Sequence, residues 1–223
     1  ASPFVVLLGK GNHEVTTSHE YYHYRQRKIN LTTLGVTRNN ITFIGQGIGV
    51  TTILGGFGIT NVQNITLKQL TVTNTTGNGI AMYGAVVELV DVAVFGCSGT
   101  GIRVSSTDDA SPSQLVATRC EISNNGHSGL FIYNSNNDIS LNVCLKNCIS
   151  HHNSNCGISI HGNDVINVHG GESAIHSNKY QGISAINYGK VVIHLPSRHN
   201  TCYNNGNRDR HTNMGGTITN VED

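Results

Sequence analysis

Residues 64–104, NITLKQLTVTNTTGNGIAMYGAVVELVDVAVFGCSGTGIRV, decide the fold because they run twice through one pattern. Gly79 and Gly101 are its equivalent points. Counted from Gly79, apolar residues stand at −14 and −12 (Ile65, Leu67), −9 and −7 (Leu70, Val72), and +1 and +3 (Ile80, Met82). The same offsets from Gly101 give Val87, Leu89, Val92, Val94, Ile102 and Val104. Residues two apart on a β-strand share a face. Each glycine therefore predicts two short strands before it and a third after it, all turning these residues inward.

The register continues along the chain. Gly129 gives Leu115, Ala117, Cys120, Ile122, Leu130 and Ile132; Gly157 gives Val143, Leu145, Cys148, Ser150, Ile158 and Ile160. Gly182 gives Val168, Gly170, Ser173, Ile175, Ile183 and Ala185, a weaker copy. The unit recurs after 22, 28, 28 and 25 residues, a period that marks a solenoid. On these offsets every additional residue falls after the third strand, so one corner is expected to take all insertions. Three strands per turn describe an all-β, right-handed parallel β-helix of about seven coils. Asparagines recur at the bend before the third strand (Asn74, Asn124 or Asn125, Asn153, Asn178), where Asn tolerates left-handed backbone and can bond along the axis.

This pattern over roughly residues 36–190 resembles the pectin-lyase-like superfamily, and its Asn/Thr/Gly-rich style is similar to β-helix proteins of large algal viruses. The resemblance implies a fold. It leaves the reaction open among a polysaccharide lyase, an epimerase and a glycoside hydrolase. The chain is read as one domain over 1–223: an N-terminal coil and cap (1–35), regular coils (36–190) and an irregular C-terminal coil (191–223). Within the first part, PFVVLLGKGNHEV predicts strand, turn, strand, and SHEYYHYRQRK (18–28) a solvated loop or short helix over the open end. In the last part KVVIHL and GTITNVED are expected strands and RHNTCYNNGNRDRHTNMGG (198–216) a polar loop.

Composition narrows the function. Only 12% of residues are charged and the formal net charge is +1, which argues against a nucleic-acid partner. No apolar run approaches the ~20 residues of a membrane span, and no signal peptide is evident. The glycine-rich GQGIGVTT (45–52) lacks a Gly-Lys-Ser/Thr ending and a following helix, so it reads as tight corners rather than a phosphate loop. No cofactor is expected. The run Cys144, Cys148, His151, His152, Cys156 imitates a zinc site, but Cys144 falls on an outward offset and Cys148 on an inward one, so no metal is expected there. Cys120 and Cys148 share an inward offset in successive coils and are expected as free, stacked core thiols.

Function must then come from outward positions. At +2 and +4 from the glycines these read Ala81, Arg103, Phe131, Ser159, Ser184 and Tyr83, Ser105, Tyr133, His161, Ile186. Tyr83, Arg103, Phe131, Tyr133 and His161 form a candidate glycan-binding stripe, aromatic rings offering stacking faces and Arg and His polar contacts. Lyase or epimerase chemistry needs a base, an acid and a cation for a uronate carboxylate, for which Tyr133, His161 and Arg103 are candidates; the pair Asp108, Asp109 in SSTDDASPS (105–113) is a further catalytic candidate. Asp108-Asp109 followed by Gly126-His127 resembles polygalacturonases, yet no Asn-Thr-Asp precedes the pair and no Arg-x-Lys follows. The Asp-Pro-His-Asp motif of mannuronan epimerases and the pectin methylesterase motifs are absent as well. The expected partner is a polysaccharide at an extracellular or virion surface, with the helix ends offering surfaces for homo-oligomeric assembly. The alternative is a non-catalytic spike, fibre or coat component.

Overall fold

The computed structural model describes residues 3–22, 28–106, 112–134, 141–196, 199 and 201–222. Among them there is no helix; the strands form a 15-stranded and a 9-stranded sheet wound into a parallel β-solenoid of about seven turns. First and second strands of each coil share the larger sheet, and third strands make the smaller one. Coil stacks on coil in the register read from the glycines. Leu67 pairs with Leu89, Leu89 with Ala117, Ala117 with Leu145, and on the third strand Ile80, Ile102, Leu130, Ile158 and Ile183 follow one another. All six inward positions of the Gly79, Gly101, Gly129 and Gly157 coils are buried.

Two backbone devices turn the chain about its short second strand. Ten residues before the glycine stand Gln69, Asp91, Arg119 and Asn147, all at φ between 51° and 55°. Five residues before it stand Gly96, Asn124 and His152, also left-handed, with Ser177 and Asn204 in later coils. Directly after this second bend a side-chain ladder runs through the wall. Asn125 Nδ2 donates to Asn153 Oδ1 (2.9 Å), Asn153 Nδ2 to Asn178 Oδ1 (2.9 Å), and Asn178 Nδ2 to Asn205 Oδ1 (2.9 Å). The last donor, Asn205 Nδ2, ends on Asp209 Oδ1 at 2.9 Å, an acceptor that needs no further acceptor beyond it. The same carbonyls also accept the backbone N–H of the preceding rung. This packing explains the marker glycines: a Cβ on Gly129 would lie 2.4 Å from Ser150 Oγ and 2.8 Å from Asn153 Nδ2.

Three expectations change. In the Gly182 coil the inward pair of the first strand is Ile166 and Val168, opposite Val143 and Leu145, while Gly170 is a left-handed corner residue. Two additional residues therefore sit between its first and second strands, and insertions are not confined to the corner after the third. Residues 18–22 are a strand paired antiparallel with Lys28–Val36, in place of a loop or short helix. The polar tail forms a further coil: Cys202–Tyr203, Arg208–Asn213 and Thr217–Asn220 pair with the coil before them. Arg210 takes the inward offset opposite Ile183 there, and its guanidinium bonds Asn220. An inward-pointing charge of this kind blunts an open strand edge. The strands predicted at 4–7, 11–14, 190–194 and 217–220 are present.

The described cysteines are free, five of them buried. Cys120 and Cys148 are neighbours in the core without a disulfide. The hydrogen bond to Cys148, added to burial, pushes the Cys120 thiol up, and burial raises Cys97 to about 11.

Candidate functional site

The third strands Ile80–Tyr83, Ile102–Ser105, Leu130–Tyr133, Ile158–His161 and Gln181–Ile186 lie side by side, which fixes two outward columns. One runs Ala81, Arg103, Phe131, Ser159, Ser184; the other runs Tyr83, Ser105, Tyr133, His161, Ile186. Four of the five stripe residues meet. The Arg103 guanidinium carbon is 5.7 Å from the Phe131 ring centre, and its Nε donates to Ser105 Oγ at 3.1 Å. Phe131 stacks with Tyr133 at 6.3 Å and meets His161 edge-on at 5.4 Å. Burial holds the His161 imidazole below its usual pKa, so it is neutral near pH 7. Tyr83 belongs to the same column but Ser105 stands between it and Tyr133.

The stripe is more recessed than the offsets suggest. Tyr133 is 42% exposed, whereas Ser105, Ser159 and Ser184 are buried despite their outward offsets. Arg103 lies over Ser105 and bonds it. Asp108 and Asp109 lie outside the described residues.

Beside the stripe opens a cleft of about 280 Å³ lined by Tyr133, Asn134, His161, Gly162, Asn187 and Tyr188. Tyr188 is the residue the repeat does not reveal. It follows Asn187 in a corner where both are left-handed, at φ 66° and 54°, and it is 65% exposed. A bulky aromatic at positive φ is strained, and such strain clusters at ligand sites. Its backbone N–H donates to Met214 O at 3.0 Å, and Gly215 backs its ring so closely that a Cβ there would sit 2.6 Å from it. The cleft floor is fixed by Asn134, whose Nδ2 donates to Asp164 Oδ1 at 3.0 Å and whose Oδ1 accepts the Ser106 hydroxyl. Asp164 is buried; desolvation raises its pKa, while the Leu141 N–H and Asn134 bonds work the other way.

A second cluster sits on the second-strand face, at the offset −6. Ser123, His151, His176 and Tyr203 are successive rungs there. The regular −6 offset was a signal for it in the sequence. Cys144 is half-exposed while Cys148 is buried, so those thiols face opposite sides of the wall. Among the described residues no group of three or more His, Cys, Asp or Glu converges on a metal position.

A family model described as a right-handed β-helix region matches residues 37–172, more than half of the chain. No curated protein sequence matches significantly. Among solved structures, pectate lyase Pel9A is similar at 10% identity and a TM-score of 0.43, covering 98% of this chain and 69% of that one. The A-module of the Azotobacter vinelandii mannuronan C-5 epimerase AlgE4 is similar at 11% identity and a TM-score of 0.39, covering 99% and 91%. The AlgE6 A-module of the same organism gives 12% identity and 0.39.

Proposed function

The chain belongs to the right-handed β-helix family, and on that premise we propose that it is a polysaccharide-binding protein of an extracellular or virion surface. The observation that carries the reading is the convergence of Arg103, Phe131, Tyr133 and His161 beside a cleft closed by Tyr188. Sugar rings are apolar on their faces and polar at their edges. Tyr133 and Tyr188 offer exposed rings for the faces, and Asn134, Asn187 and neutral His161 offer donors and acceptors for the hydroxyls. Arg103 adds a cation at the stripe's far end. If the site also turns over its ligand, His161 is the base and Tyr133 the acid.

The test is a glycan array followed by incubation with uronate and neutral polymers and product analysis. Binding lost in Tyr133→Ala and in Tyr188→Ala supports the reading. By analogy with ring stacking on bases, each loss is about 1–3 kcal/mol, roughly five- to 150-fold in Kd. Binding without new products makes it a binder; products make it an enzyme. Binding of no glycan would favour a structural spike, fibre or coat component, for which the exposed Phe4 (60%) and Leu7 (77%) of the first coil would serve as an end contact.

A further inference from the structure

We infer that the imidazole column on the second-strand face is an acid-sensitive latch that holds the last short strand, Cys202–Tyr203, and releases it when a second proton enters. His151 and His176 stack at 5.1 Å and 2°, and His176 and Tyr203 at 5.0 Å and 8°. His152 crosses them, 4.9 Å from His151 and 6.2 Å from His176. The titratable groups facing the column, among the described residues, are Glu121, these three histidines and the Tyr203 phenol.

Counting protons shows why the second one is disruptive. Glu121 Oε1 accepts the Ser123 hydroxyl at 2.8 Å and lies 3.2 Å from His151 Nε2, which must therefore carry hydrogen. His151 Nδ1 and His152 Nδ1 are 2.7 Å apart and share a single hydrogen. One added proton has a place: a hydrogen on His151 Nδ1 faces the Nδ1 lone pair of His152 while Nε2 keeps Glu121. A second has no such place. On His152 it sets two N–H groups against each other, and on His176 it stacks one cation on another. Burial, and then His151 and His152, already hold the His176 pKa below its ordinary value.

Folded His176 binds its proton more weakly than the unfolded chain does. Its contribution to stability is complete above the ordinary imidazole range, about pH 6.5, and is lost as pH falls through the lower folded value. The effect concentrates on Cys202–Tyr203 because this strand is two residues long and, among the described residues, pairs with Ala174–His176 alone. Tyr203 stacks on His176, so the repulsion that drives a charged His176 away from a charged His151 moves the ring on which the strand is anchored.

Hydrogen exchange by mass spectrometry, corrected for intrinsic rates, between pH 7.5 and 4.5 tests this on the whole chain. In the parent, protection of residues 201–205 should fall by up to about tenfold per pH unit once the second proton binds, while the 102–105 strand keeps its protection. His176→Phe keeps a ring without a proton, and should hold protection at 201–205 to lower pH. His176→Gln serves the same purpose if the larger ring does not fold. Glu121→Gln should move the loss to higher pH, because the first proton then has no carboxylate. A parent profile identical to that of both His176 variants, or a loss spread evenly over every coil, overturns the latch.

Discussion

Replacing Asn153 by leucine, which has nearly its shape, isolates the hydrogen bonding of the ladder from its packing. Asn153 is 1% exposed and its side chain serves three rungs. Its Oδ1 accepts Asn125 N–H at 3.2 Å and Asn125 Nδ2 at 2.9 Å; its Nδ2 reaches Asn178 Oδ1 at 2.9 Å and Ile122 O at 3.1 Å. In the variant the Asn125 backbone N–H loses its acceptor in a dry site, at about 1–3 kcal/mol. Asn125 Nδ2 keeps Val94 O at 3.3 Å and Asn178 Oδ1 keeps the Asn153 N–H at 3.1 Å, so these are partial losses. With Ile122 O they add about 0.5–1.5 kcal/mol each. The total is about 2.5–7.5 kcal/mol, a large share of the roughly 5–15 kcal/mol that holds a domain folded. Urea unfolding should show this as a lower midpoint, and exchange of the Asn125 amide should accelerate before that of distant coils, since neighbours carry solenoid stability. A shift below about 1 kcal/mol with the Asn125 amide still protected would show that the ladder's bonds are replaceable by other contacts.

Ile132→Asp puts an unpaired charge at a position with no exposure, so soluble protein with the parent's β-sheet circular dichroism would contradict the register. Gly129→Ala should cost about 3 kcal/mol or more by urea unfolding, since its Cβ meets Ser150 Oγ and the immobile Gly157 carbonyl. Under native conditions a maleimide should label Cys144 first and leave the five buried thiols unmodified until urea is added, with non-reducing mass spectrometry finding no Cys120–Cys148 crosslink. Tyr188→Gly should relieve a strained corner, holding or raising the unfolding midpoint while weakening glycan binding.

The core was legible because a strand's two-residue period is written directly in residues such as Leu67, Leu89 and Ile102. The misplaced pair in the Gly182 coil shows the limit of that reading. Gapless offsets put Gly170 inside, and only its left-handed backbone and the pairing of Val168 with Leu145 reveal the two-residue insertion. The first bend was not legible either, since Gln69 and Arg119 are unusual choices for positive φ and the geometry is imposed by the stack. On the site, Phe131, Tyr133 and His161 share a strand face that the periodicity places. Tyr188 lies in a corner beyond any repeat offset, and the packing of Gly215 against it joins residues far apart in sequence.

The corner after the third strand carries a practical consequence. Between the Gly79 and Gly101 coils the repeat takes 22 residues and between Gly101 and Gly129 it takes 28, yet Val87 still faces Leu115 and Leu89 still faces Ala117. The wall does not measure the length of chain that leaves it and returns at this point. Closing a loop twice as long costs only about 0.6 kcal/mol more, so foreign segments spliced there should be borne without rewriting a single rung. The molecule is in that sense a ruler with tabs: a scale graduated by the spacing of adjacent strands, along one edge of which peptides can be displayed at chosen marks.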